Sequence, residues 1–189
     1  MKKIISLVTV ISSIFSACNS TSNSNESHSH HVDSLDVISQ IDSTHQKHIN
    51  TDGKFDEVLS NYINLKNTLV NDDSKAAGNA GKAILYSLTK LSKSENKEEL
   101  EILESIKENA EHIRDNSGKL DHQREHFALI SKDIIDLIEQ AGTSKKLYQD
   151  FCPMYDDNKG ASWISEIKEI KNPFYGSKMS TCGSVKKEY

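Results

Sequence analysis

The chain has 189 residues, with 23 Lys and Arg against 28 Asp and Glu and a formal net charge of -5. That length fits about one domain with a tether, and the acidic balance, with a pI near 5.9, lacks the basic stripe that a nucleic-acid binder needs. With only 2 Pro and 8 Gly, long helices are allowed almost everywhere before residue 142.

Lys2 and Lys3, the apolar run at residues 4–15 and the small-residue stretch Ser16-Ala17-Cys18 have the order of an export signal. The apolar run falls short of the ~20 residues a spanning helix needs. Phe15-Ser16-Ala17-Cys18 resembles a lipobox, where cleavage leaves an acylated Cys as the new N-terminus. The expectation is a signal peptide at 1–17, lipidation at Cys18 and a membrane held through that lipid anchor. Asn19 follows the anchor, and resemblance to lipoproteins in which an Asp there retains the protein at the inner membrane implies the outer one. Ser20 to Asn25 carries no acidic cluster of the kind that surface-display signals use, so the periplasmic face is expected. Ordinary secretion with a free Cys18 is the competing reading. Residues 18–53 then form a tether, Ser- and Asn-rich over 19–34. It carries His28, His30, His31, His45 and His48. These imidazoles can bind a metal loosely, although no carboxylate or Cys is fixed nearby and a solvated linker accounts for them as well.

Helical periodicity begins with a short, frayed segment at Leu35, Ile38 and Ile41. A longer stripe runs through Phe55, Val58, Leu59, Tyr62, Ile63 and Leu69 at spacings of three and four. Asn71-Asp72-Asp73-Ser74 breaks it and can cap the next helix, which shows Ala76, Ala77, Ala80, Ile84, Leu88 and Leu91. Its small residues allow a neighbour to pack closely. A third stripe takes Leu100, Leu103, Ile106, Ala110 and Ile113 and ends at Asn116-Ser117-Gly118. The fourth takes Leu120, Phe127, Ile130, Ile134, Leu137 and Ile138, closed by Gly142 as a C-cap. Four amphipathic stripes with short breaks need one another to bury their apolar faces, so the fold expected for 54–189 is all-α, an up-and-down bundle of about four helices. No segment alternates as a strand should.

After Gly142 the composition changes. Both Pro, the only Trp, Cys152 and Cys182, and Met154 and Met179 all lie in residues 143–189. Residues 161–170 are expected to form one short helix, with Trp163, Ile164 and Ile167 facing the bundle; the rest reads as irregular, aromatic-rich chain packed on it. Cys152 and Met154 flank Pro153, while Met179 and Cys182 stand three apart before Gly183. This mirrored pair of hooks offers thiolate and thioether, the donors Cu(I) prefers, whereas Mg(II) and Ca(II) want oxygen. His126 can complete such a site. His122 stands four residues before it on the same helix face, and His112 is a more distant candidate. Other readings stay open: a structural Cys152–Cys182 disulfide, typical of exported proteins, methionines that merely fill the core, and histidines on the surface. No phosphate-cradling Gly loop, H-E-x-x-H or other catalytic pattern is present, so no enzyme is expected.

Several spaced motifs together resemble one family. They are Gln123-Arg124-Glu125-His126-Phe127, Cys152-Pro153-Met154, Lys159-Gly160-Ala161-x-Trp163-Ile164-Ser165, Asn172-Pro173-Phe174-Tyr175-Gly176 and Met179-x-x-Cys182-Gly183. The family is an uncharacterised domain of Gram-negative lipoproteins that also occurs appended to periplasmic adaptor subunits of heavy-metal efflux pumps. The resemblance covers roughly residues 54–189. It implies a mostly helical fold, a copper or heavy-metal context with an efflux adaptor or metallochaperone as partner, and no known catalysis; it assigns no ligands. Cys152-Pro153-Met154 is also similar to the opening of small heavy-metal-binding domains, whose second Cys-Pro-x-Cys is missing here. The function expected is a periplasmic metal-binding lipoprotein that buffers Cu(I) or hands it to an efflux partner, with a structural or interaction module as the alternative.

Overall fold

Four helices follow one another in the computed structural model, which describes residues 53–189: α1 (Asp56–Val70), α2 (Ser74–Thr89), α3 (Lys97–Asp115) and α4 (Leu120–Ala141). The expected signal peptide, Cys18, the tether and the short helix near residues 35–41 lie outside the described residues. The breaks fall where the polar punctuation sits. The Asp73 carboxylate accepts the N–H of Ala76 at 2.8 Å, and Asn96 Oδ1 accepts from Glu98 and Glu99 at the start of α3. Each satisfies donors that a helix N-terminus leaves over. Gly142 takes φ +77° directly after α4, a conformation that side chains with a Cβ avoid.

Each helix packs on the next in chain order, α1 on α2, α2 on α3 and α3 on α4, as an up-and-down bundle requires. The buried faces largely follow the expected stripes, with Val58 and Leu69 of α1, Ile106, Ala110 and Ile113 of α3, and Phe127, Ile130 and Ile134 of α4 all removed from solvent. Leu100, expected in the third stripe, is instead exposed at the start of α3, and Leu65 joins the buried face of α1. Gly81 sets the approach of α2 to α3, since a Cβ there would stand 2.9 Å from the Ala110 carbonyl oxygen. Among the described residues no helix is long and apolar enough to cross a membrane.

The expectation of an all-α chain is corrected after Gly142. Three strands, β1 (Tyr148–Cys152), β2 (Ala161–Ser165) and β3 (Ser184–Glu188), form an antiparallel sheet in the order β2-β1-β3. The helix expected over 161–170 is instead strand β2 followed by a bend, and Ile167 is exposed rather than turned to the bundle. Alternation is present in β1, but its buried face carries Tyr148, Asp150 and Cys152 while Phe151 on the other face is only half-buried. An acid on the inner face and an aromatic on the outer one invert the usual apolar/polar pattern. In β3 the half-buried positions are Val185 and Lys187, so no apolar period exists to be read there.

The sheet lies against the bundle through β2, which packs on α4 and reaches α1. Tyr62 of α1 ties the three together. Its hydroxyl pairs with Ser131 Oγ of α4 at 2.8 Å and accepts the Ile164 N–H of β2 at 3.0 Å, while its ring stacks on Phe127 at 5.3 Å. Burial pushes this phenol far above its usual range, so the hydroxyl stays protonated and free to donate to Ser131.

Candidate metal centres

Strand pairing brings the two tail thiols together. Cys152 ends β1, opposite Ala161, and its side chain is fully buried. Cys182 stands two residues before β3, whose Ser184 pairs with Phe151, so closing the β1–β3 edge carries Cys182 to Cys152. The two Sγ atoms lie 3.4 Å apart, and both cysteines are free. A hydrogen bond to Cys152, reinforced by burial, pushes the Cys182 thiol up from its ordinary value.

The turn that presents Cys182 is held from below by Asn172, which is fully buried. Its Nδ2 donates to the Cys182 carbonyl at 2.7 Å, while its Oδ1 accepts the N–H groups of Phe174 and Tyr175. Cys182 N–H also donates to the Met179 carbonyl, closing the turn. Gly183 is obligatory there. It has φ +144°, and a Cβ would meet the Trp163 ring at 2.9 Å and the Phe151 carbonyl at 3.0 Å. The opposite hook is bound to the same region by Tyr175, whose hydroxyl donates to the Met154 carbonyl at 2.9 Å. Thus both sulfur-bearing turns meet. Met154 itself is exposed and Met179 half-buried, so the buried contact is between the thiols.

Two features beside this pair are unusual. Asp150, on the same face of β1 as Cys152, is fully buried, and neither of its carboxylate oxygens has a hydrogen-bond partner; the same holds for Nε1 of its cross-strand partner Trp163. Burial pushes the Asp150 carboxyl up to about 7 against the opposing charge of Lys66. Then, one residue beyond Cys152-Pro153-Met154, three residues in succession adopt left-handed backbone, Asp156 (φ +49°), Asp157 (φ +53°) and Asn158 (φ +68°), before Gly160 at φ +80°. Without such a tight turn the chain cannot return to pair β2 with β1.

His126 belongs to a different cluster. The three histidines of the described residues, His112 near the end of α3 and His122 and His126 on α4, each offer a nitrogen within 4.8 Å of the others. His126 Nδ1 lies 2.8 Å from Asn109 Oδ1, and Asn109 Nδ2 donates to the Ser105 carbonyl at 2.9 Å. His122 Nδ1 lies 3.2 Å from Glu125 Oε2, and the Nε2 atoms of His122 and His126 face each other at 3.2 Å. The ring of His112 stacks on His126 with centroids 4.3 Å apart. Partial burial, followed by the neighbouring His112 and His122, lowers the basicity of His126. The sequence places His122 and His126 on one face by their spacing, whereas the closeness of His112 follows from the α3–α4 hairpin, which no spacing reports.

The remaining motif residues turn out to brace these sites. Arg124, buried in α4, donates to the carbonyls of Pro173 at 2.8 Å and Leu69 at 3.0 Å and to the Asp72 carboxylate. Asp72 in turn accepts from Ser177 N–H and Oγ. These bonds hold Asp72 down to about 2, the Ser177 hydroxyl contributing most and Arg124 next. They also fix the 172–177 loop to the bundle, and Gly176 (φ +54°) permits the contact because a Cβ would overlap Asp72. Gln123 joins three helices, accepting from Ser74 Oγ and donating to the carbonyls of Ser74 and Ile113.

Residues 58–146 match the model of a family described as a protein of unknown function (DUF3347). The helical part of this chain is similar to an uncharacterised domain family. The matched segment spans α1 to α4 and contains His112, His122 and His126, while Cys152 and Cys182 lie beyond it. No curated protein and no solved structure matches the chain.

Proposed function

We propose that the chain is a non-catalytic, lipid-anchored protein of the periplasmic face of the outer membrane that holds a soft ion, Cu(I), at Cys152 and Cys182. It buffers the ion or passes it to a heavy-metal efflux adaptor or metallochaperone. The observation that carries this reading is the 3.4 Å separation of the thiols. Two sulfurs sharing one metal at bonds of about 2.3 Å and a near-tetrahedral angle stand roughly 3.7 Å apart, so the pair needs to open by only a few tenths of an ångström. A disulfide needs about 2.04 Å, a closure of more than 1 Å. Met154 and Met179 stand on the same two turns, two and three residues from the thiols, with flexible thioether side chains. His126 is assigned to the histidine cluster and not to this site, because its near partners are Asn109, His112 and His122.

Competition of the full chain with a chromogenic Cu(I) chelator under anaerobic, reducing conditions tests the proposal. One Cu(I) per chain is expected, lost in Cys182→Ser and weakened at least tenfold in Met154→Leu/Met179→Leu. Unchanged affinity in the serine variant sinks the thiol site. The second reading, a structural or interaction module, is favoured by the same proximity if the thiols oxidise. Intact-mass measurement of protein taken from the cell envelope separates the two, since a disulfide shows as the loss of two hydrogens that reductant restores.

A further inference from the structure

The three imidazoles between α3 and α4 stand apart from the thiol pair, and the reading above makes no use of them. Their hydrogen bonds fix which nitrogens are bare. Asn109 gives its amide N–H to Ser105, so its oxygen faces His126 Nδ1 and must receive a proton there. Glu125, a carboxylate, likewise draws the proton of His122 to Nδ1. Both Nε2 atoms are then left with exposed lone pairs pointing at each other across 3.2 Å. Two such lone pairs repel unless a cation lies between them. Two metal–nitrogen bonds of about 2.05 Å at the tetrahedral angle set their nitrogens about 3.3 Å apart, close to the spacing observed. A carboxylate and an amide oxygen behind the ligating rings are the outer partners that metal-bound histidines ordinarily keep.

A shared proton could also bridge the two nitrogens, but it would leave His112 with no part. That ring stacks on His126 within 6° of parallel, is exposed, and already has a nitrogen within 4.8 Å of the other two. All three histidines of the described residues therefore gather at one place on the surface of the α3–α4 hairpin, where the exposed His112 ring has only to turn for its nitrogen to join the other two. We infer that His112, His122 and His126 form a second metal site, for a borderline divalent ion of the Zn(II) class, with three neutral imidazoles as ligands and the fourth position open to solvent. Three nitrogens without sulfur select this class over Cu(I), and hard ions such as Mg(II) and Ca(II) want oxygen. Asn109 and Glu125 are positioning residues.

The test is a titration of the full chain, labelled with 15N at the histidine rings, with Zn(II) while the ring nitrogens are followed by NMR. At one equivalent the Nε2 resonances of His122 and His126 and one nitrogen of His112 should move together, with Nδ1 of His122 and His126 still protonated. Chelator competition should then give affinity reduced at least tenfold by His112→Ala, a surface change, and about tenfold by Asn109→Ala. Each ring reports for itself, so Zn(II) taken up at the thiols or the histidines of residues 18–53 leaves these signals still and overturns the inference. So does a His122–His126 pair that keeps a shared proton at saturating Zn(II), or a His112 signal that never moves. Because the readout is on imidazole nitrogens, its failure leaves the thiol site standing, and failure of the thiol site leaves this one.

Discussion

Replacing Asn172 by Ala should loosen the thiol turn and lower stability without abolishing the fold. The side chain is wholly buried and makes three hydrogen bonds, to the Cys182 carbonyl at 2.7 Å and from the N–H groups of Phe174 at 2.8 Å and Tyr175 at 3.2 Å. Alanine leaves all three backbone groups without that partner. The buried Phe174 N–H costs about 1–3 kcal/mol when stranded, and each of the other two about 1 kcal/mol, for a total of roughly 3–5 kcal/mol. At about 3 °C per kcal/mol for a domain of this size, the melting temperature should fall by about 9–15 °C. The backbone bonds Asn172 N–H to Ser180 and Gly176 N–H to Asn172 survive the change, so the loss stays local to the loop. Cys182, its carbonyl no longer anchored, should react faster with an aromatic disulfide reagent than in the parent chain. Thermal melts followed by circular dichroism and a thiol-release time course read both effects. A drop below about 3 °C together with an unchanged thiol rate would refute the reasoning, since it would mean that the turn does not depend on Asn172.

Three further outcomes are expected. Tyr62→Phe removes the hydroxyl that pairs with Ser131 and accepts Ile164 N–H, and should cost about 1–3 kcal/mol; an unmoved urea midpoint would show that the sheet docks without it. Asp72, ordinarily at 3.8, is held down to about 2, so its contribution is present above about pH 4 and lost as pH falls through 2. That shift of just under two pH units corresponds to about 2.5 kcal/mol, but the carboxylate is a third exposed and screening reduces this to about 1 kcal/mol. Asp72→Asn should therefore destabilise by about that amount at pH 7 and by much less at pH 2, and an equal loss at both, in urea titrations, would remove the charge argument. Asp156→Gly/Asp157→Gly relieves two left-handed residues and should raise stability by about 1 kcal/mol; a lower melting temperature would mean that the aspartates themselves hold the turn.

The helices were legible because each buries a stripe at its natural period and is bounded by residues that cap or break it. Asp73, Asn116-Ser117-Gly118 and Gly142 fall at the boundaries observed. The sheet was hidden for the opposite reason. Its strands are five residues long, and β1 turns Asp150 inward while β3 offers Val185 as its one aliphatic side chain, so tertiary packing decides what local pattern cannot. The two Cys hooks could be read as a pair from their mirrored spacing, and their meeting depends on the β1–β3 edge. His112 shows the limit most plainly. It stands ten residues before His122, and only a tight turn at 116–118 folds one helix back on the next so that the two imidazoles share a face.

The placement of the two candidate centres has a consequence for what the helical domain itself can do. The segment similar to the uncharacterised family holds all three imidazoles and neither thiol. The histidine cluster is built on two packed helices, with Asn109 and Glu125 aiming its rings from the same pair of helices. The thiol pair instead joins the end of strand β1, at Cys152, to the turn that carries Cys182, and the place of that turn is set by Asn172, Tyr175 and the Asp72–Arg124 brace that ties the 172–177 loop to the bundle. Sites on helices hold geometry more tightly than sites on loops. As proposed metal sites, the imidazole centre would therefore suit steady retention of one ion, and the thiol centre, whose Cys182 turn can part from the end of β1, would suit capture and release. Metal exchange rates measured separately at the two centres should differ in that order. A thiol site slower to release than the imidazole site would show that the Cys182 turn, held by Asn172 and by the loop braced through Arg124, is as rigid as the helices.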